Sequence, residues 1–211
     1  MSIPWLRKPK VETRITSAVI EASSFADDTA GSGNGGGVGG NGGVTVTRST
    51  LLRESAGGSG GAIAGAAVSI VESTVADSIA GAYGGAAYAD NWGITATNST
   101  FFGNAAYDGG ALYVDPTSPG SNAAIAHYST FVDNASGDGS DAIFAIAATL
   151  DHDLLVGAGT LCAVTSITDL GGSRETGTSC LGATPTGVGS RSNVSRTALK
   201  LGALADNGGP T

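Results

Sequence analysis

The stretch Ser99-Thr100-Phe101-Phe102-Gly103-Asn104-Ala105-Ala106-Tyr107-Asp108-Gly109-Gly110-Ala111-Leu112 decides the fold. Taken alone it reads as a strand end, a polar turn and a glycine-rich bend. Its parts recur. Ser129-Thr130-Phe131-Val132-Asp133-Asn134 repeats the first half, and Ser23-Ser24-Phe25-Ala26-Asp27-Asp28 lines up with it. Ser73-Thr74-Val75-Ala76-Asp77-Ser78 and Ser49-Thr50-Leu51-Leu52 are weaker copies. Gly60-Gly61-Ala62-Ile63 and Gly84-Gly85-Ala86-Ala87 repeat the second half, which degrades to Ser140-Asp141-Ala142-Ile143 in the next copy. A motif recurring at a near-fixed period is the mark of a stacked repeat architecture.

Taking Ser24, Thr50, Thr74, Thr100, Thr130 and Asp153 as equivalent, the steps are about 23 to 30 residues, the size of known repeat units. The residue after each marker is apolar: Phe25, Leu51, Val75, Phe101, Phe131 and Leu154. If the copies stack, this column is an interior ladder, each large side chain contributing roughly 1.5–3 kcal/mol on burial. Four residues after each marker stand Asp28, Glu54, Ser78, Asn104, Asn134 and Gly157, a mostly polar column suited to bends and to hydrogen bonding along the stack. Ahead of each Ser-Thr pair lies a strand-like run, such as Val44-Thr45-Val46-Thr47 with its apolar–polar alternation. Val11 to Ile20 reads as the first such strand. Gly31 to Gly43 is a flexible loop or a glycine-rich bend, and Asp115-Pro116-Thr117-Ser118-Pro119-Gly120 an inserted loop. These readings predict an all-β chain: a right-handed parallel β-helix of about six rungs. The N-terminal tail is 1–10, the repeats span 11–160, and 161–211 is an irregular C-terminal segment.

Composition narrows the function classes. Glycine is the outlier at 35 of 211 residues, without the Gly-X-Y period of collagen, while 41% hydrophobic content is too high for a disordered tract. A net charge of −8 and a pI near 4.5 argue against nucleic acid and against anionic lipid. No apolar run is long enough to cross a membrane as a helix. Arg7, Lys8 and Lys10 form a basic patch, but no apolar signal-peptide core follows them.

Phe-x-x-Asn with Gly-Gly-Ala-(Ile/Leu/Val) resembles the repeat of polymorphic outer membrane proteins and, more broadly, of bacterial right-handed parallel β-helix surface proteins. Leu201-Gly202-Ala203-Leu204-Ala205-Asp206-Asn207-Gly208-Gly209-Pro210-Thr211 is similar to a Leu-Gly-Pro-Leu-Ala-Asp-Asn-Gly-Gly-Pro-Thr motif near the end of many such proteins, with Ala203 in place of the proline. The resemblance implies an exported, extracellular or cell-surface module, adhesin- or passenger-like. It also implies a chain that continues beyond Thr211. Its partner would be a glycan or a host or cell-surface protein. Similar chains carry a cysteine pair where Cys162 and Cys180 stand, which implies a disulfide closing a loop after the last regular rung; the alternative is two buried thiols.

The competing class is a polysaccharide lyase or glycoside hydrolase, since many parallel β-helices have acidic residues in a groove. The candidate acids are Asp151, Asp153 and Asp141. In an extended strand Asp151 and Asp153 share one face and His152 takes the other. The alternative for Asp151-His152-Asp153 is a surface turn. Between Glu54 and Leu161 there is no Lys or Arg, against a lyase that grips an acidic sugar there. Gly137-Asp138-Gly139-Ser140-Asp141 loosely resembles one calcium nonapeptide, a site that needs tandem copies. No zinc pattern links the cysteines to His127 and His152, and no cofactor is implied. Tyr83, Tyr88, Trp92, Tyr107, Tyr113 and Tyr128 fall in or after the glycine corners, as an aromatic row for a sugar or protein partner or as rim packing.

Overall fold

The computed structural model describes residues 17–202. The chain begins with β1 (Ser17–Glu21) and β2 (Ser24–Ala26), then β3 (Val38–Gly39), β4 (Gly43–Thr47), β5 (Thr50–Leu52) and β6 (Ser55–Ala56). Next come β7 (Ile63–Val71), β8 (Thr74–Ala76) and β9 (Ile79–Ala80), then β10 (Ala87–Thr97), β11 (Thr100–Phe102) and β12 (Ala105–Ala106). β13 (Leu112–Val114), β14 (Ala123–His127), β15 (Thr130–Val132) and β16 (Ala135–Ser136) precede β17 (Ile143–Asp151) and β18 (Leu154–Val156). β19 (Cys162–Gly171), β20 (Arg174–Glu175) and the one-turn helix α1 (Arg196–Leu199) complete the described elements. The protein is all-β, and every strand pairing is parallel.

Three sheets form. Nine strands follow the order β1-β4-β7-β10-β13-β17-β14, with β3 on β7 and β19 on β17. Seven follow β2-β5-β8-β11-β15-β18-β20, and four follow β16-β12-β9-β6. In the seven-stranded sheet Phe25, Leu51, Val75, Phe101, Phe131, Leu155 and Glu175 stand side by side. The Phe101 and Phe131 rings stack at 4.8 Å inside the core. The expected ladder is therefore present through Phe131, but the sixth marker is one residue off. Leu154 pairs with Thr130, so Leu155, not Leu154, enters the core, and Asp153 occupies the column of Ser129. A one-residue slip exchanges inside for outside.

Two features of the bends explain the repeat. First, a non-glycine residue at positive φ follows each of β1, β4, β7, β10, β14 and β17: Ala22, Arg48, Glu72, Asn98, Tyr128 and His152, with φ of 46–58°. Their amides still donate across the sheet, as Arg48 to Val71 O and His152 to Gly171 O, both within 3.0 Å, so left-handed backbone is held by the same ladder that holds the strands. Second, in the glycine corner the first glycine carries the positive φ (Gly60, Gly84, Gly109), and a Cβ on the second would overlap a carbonyl of the next copy, Gly110 O for Gly85. Both glycines are thus required, for different reasons. Gly31 to Gly43 takes the bend alternative: Gly35, Gly36 and Gly37 donate to Gly60 O, Gly61 O and Ala62 O.

The inserted loop after Asp115 splits one long strand into β13 and β14. β10 pairs with β13 through Ala87–Ala89 and with β14 through Ile94–Thr97, and β17 bridges the same two halves, closing a circuit of four strands. The segment from 161 departs from the irregular expectation: β19 extends β17 over Cys162–Gly171 and β20 extends β18. Its polar composition hid this, because β19 covers the sheet with an exposed Thr/Ser face. Within the first expected strand, β1 starts at Ser17; residues 1–16, and residues 203–211 of the C-terminal motif, lie outside the described residues.

Candidate functional site

Polar side chains inside the stack are spent on the stack itself. The amides of Ser23, Ser49, Ser73 and Ser99 donate to the hydroxyls of Ser49, Ser73, Ser99 and Ser129, at 3.1–3.3 Å. The column continues from Ser129 N to Asp153 Oδ1 at 2.7 Å and from Asp153 N to Ser173 Oγ at 3.1 Å. A second column runs from Asp28 N to Glu54 Oε2, Glu54 N to Ser78 Oγ, Ser78 N to Asn104 Oδ1 and Asn104 N to Asn134 Oδ1. Glu54 is fully buried, one carboxyl oxygen has no partner, and burial pushes its carboxyl up.

This geometry separates the expected catalytic acids. Because His152 is in the left-handed region, two successive residues point outward, and Asp151 and Asp153 end on opposite sides of the wall. Asp151 is outside with His152 on its own side: Oδ1 meets His152 Nδ1 at 2.6 Å and Oδ2 meets His127 Nδ1 at 3.3 Å, and these contacts hold its carboxyl below the usual range. Tyr128 stacks on His152 at 5.1 Å. Asp153 is 1% exposed, accepts the Ser129 and Asp151 amides, and is pushed up to about 7 by burial. Asp141 lies before the first residue of β17 and Asp151 is its last, roughly 30 Å apart along the strand. The three acids form no common site. Asp141 Oδ1 instead accepts the Ser136 amide and hydroxyl.

The aromatic row is partly assembled. Tyr88, Tyr113 and Phe144 are register partners on β10, β13 and β17. Their rings stack at 5.8 and 4.6 Å, and Tyr83 lies 4.5 Å from Tyr113. The planes are within 8–23°, so neighbouring ring faces are turned to one another. Tyr88 Oη donates to Asp115 Oδ2 at 3.3 Å; burial raises its phenol, and pushes that of Tyr113 up to about 12. Trp92 and Tyr107 are exposed and join no ring stack among the described residues.

One pair escaped the sequence reading. Asp108 precedes the Gly109-Gly110 corner and Asp138 lies two residues before the equivalent Ser140-Asp141; Asp108 Oδ1 is buried without a hydrogen-bond partner, while Asp138 Oδ1 accepts the Ser140 hydroxyl. Burial, then the neighbouring Asp138 carboxyl, pushes Asp108 up to about 6. Among the described residues no three His, Cys, Asp or Glu side chains come together to hold a metal.

Cys162 and Cys180 form a disulfide, with Cα atoms 5.1 Å apart. Beside it Glu175, at an interior position of the seven-stranded sheet, accepts the Ser179, Cys180 and Leu181 amides and the Ser179 hydroxyl. Disulfide and carboxylate together fold Ser179–Leu181 over the end of the core, where Leu161 and Leu181 are buried. No helix among the described residues is long and apolar enough to cross a membrane. Comparison with protein families, with curated proteins and with solved structures found no match to this chain.

Proposed function

We propose that the chain is a right-handed parallel β-helix acting as an exported, surface-associated module, adhesin- or passenger-like, whose role is structural or binding rather than catalytic. The supporting observation is the pair of interior ladders, in which side-chain oxygens of successive copies accept the amides of their neighbours. Such a stack suits a coil with sequence-equivalent rungs, and connections between parallel neighbours of one sheet are right-handed in about 98% of cases. The Phe-x-x-Asn and Gly-Gly-Ala motifs, which resemble those of polymorphic outer membrane proteins, fit the same reading, as does a disulfide in an oxidising compartment. The partner on this reading is a glycan or a cell-surface protein.

A second reading, a polysaccharide lyase or glycoside hydrolase, is favoured by one observation: two neighbouring carboxyls, Asp108 and Asp138, of which Asp108 has a buried oxygen without a partner and is raised by burial to about 6. A depolymerisation screen separates the two. Neutral and acidic polysaccharides, with and without calcium, are incubated with the protein, and new reducing or unsaturated ends are followed. The module reading expects none; turnover abolished by Asp108→Asn would replace it with the enzyme reading.

A further inference from the structure

From Gly171 to Gly202 the sequence holds four basic side chains, Arg174, Arg191, Arg196 and Lys200, and one acid, Glu175. Glu175 is buried and occupied by its amides, so this end is cationic in a chain of net charge −8. Arg196 is paired with Asp133. Among the described residues neither Arg174 nor Arg191 has a carboxylate partner. Instead they are partners of each other in a parallel bridge. Residues directly opposed in a ladder project to the same side, and like charges so placed repel. Two arginines on neighbouring backbone positions, neither neutralised by a carboxylate, favour an anion near them.

The site is also prepared. Arg174 Nη1 donates to Gly172 O, Ser173 O and Gly189 O at 3.0, 3.2 and 2.6 Å, which fixes the plane of its guanidinium. Both arginines line an open cleft of about 670 Å³ that also presents Ser192 and Asn193 together with apolar Pro185 and Leu199. Asp169 does not line it; its oxygens take the Gly187 amide and the Ser190 hydroxyl. A rigid guanidinium fork matches a carboxylate, hydroxyl and amide side chains match ring hydroxyls, and the apolar pair matches the carbon face of a sugar.

We propose that this cleft binds the carboxylate of an acidic sugar, with Arg174 and Arg191 gripping the oxyanion. The inference goes beyond the module reading and holds whether or not the chain is exported. Titration calorimetry on the full chain tests it, with trigalacturonate, the neutral trisaccharide maltotriose and inorganic sulfate as probes. Trigalacturonate is expected to bind at least about tenfold more tightly than either other probe, and more weakly as salt rises. Arg191→Gln is expected to weaken it about tenfold or more, as loss of a charged hydrogen bond does. Arg191 is exposed and makes no side-chain hydrogen bond among the described residues, so this variant keeps the fold, checked by circular dichroism. Arg196→Gln, outside the cleft, leaves binding unchanged. No binding of trigalacturonate, equal binding of maltotriose, or an Arg191→Gln variant that binds as the parent does would overturn the proposal. Sulfate binding as tightly as trigalacturonate would also overturn it, because the sugar would then contribute nothing.

Discussion

Asp153→Ser is expected to stabilise the protein at pH 8 and to do little at pH 4. Asp153 sits in a column otherwise made of serines, Ser23, Ser49, Ser73, Ser99, Ser129 and Ser173. Each of the first five donates its hydroxyl to a carbonyl two residues back, within 3.0 Å, while accepting the amide of the preceding copy where one is present. A carboxylate can accept that amide but is buried at 1% exposure, and its folded pKa rises from 3.8 to about 7. The folded state therefore holds a proton that the unfolded chain has already lost between those values. Stability from this group is fully present below pH 3.8 and is lost as pH rises towards 7. At 1.36 kcal/mol per pH unit the loss amounts to about 4 kcal/mol at pH 8. Serine restores the neutral link and removes the dependence. Urea unfolding followed by far-ultraviolet circular dichroism from pH 4 to 8 measures the difference between parent and variant. Glu54 and Asp108, raised by burial, titrate in both proteins and cancel in that difference. A difference that stays flat from pH 4 to 8 would refute the reasoning, because Asp153 would then ionise in the fold as it does in water.

Glu175→Ala is expected to cost about 3–5 kcal/mol in the same assay, since three amides lose a buried acceptor; a loss below 1 kcal/mol would show that water reaches them. Reducing the Cys162–Cys180 bond frees a loop closed over a separation of 18 residues and should lower stability by about 3 kcal/mol, read as a fall in the urea midpoint with dithiothreitol. Gly85→Ala should destabilise by about 1–3 kcal/mol or more, because its Cβ meets the backbone oxygen of Gly110. Gly43→Ala, whose Cβ meets nothing within 4 Å, should be close to neutral by thermal unfolding.

Much of the framework was legible because a stack forces equivalent residues into the same environment. Phe101 and Phe131 share a sequence position and share a ring contact; Asn104 and Asn134 share another and share a hydrogen bond. Legibility failed where a residue type changed within a column. Asp153 stands where serine is usual, so spacing alone aligns it with Thr130 rather than Ser129, and the slip displaces Leu154 and Leu155 with it. It failed again at Glu175, an acid in an otherwise apolar column, accepted there because four donors surround it.

The sequence by itself determined the all-β class, the period, the interior apolar column and the need for glycine at the corners. These depend on local sterics and on burial, which repeat with the chain. Tertiary structure alone decided which side chains meet on the outside. A left-handed residue at His152 sent Asp151 and Asp153 to opposite sides of one wall. Register across copies brought together His127 with Asp151, Asp108 with Asp138, and Arg174 with Arg191, pairs 24, 30 and 17 residues apart in the chain. Lateral contacts of that kind are set by the offset between neighbouring strands, and that offset is a property of the whole stack.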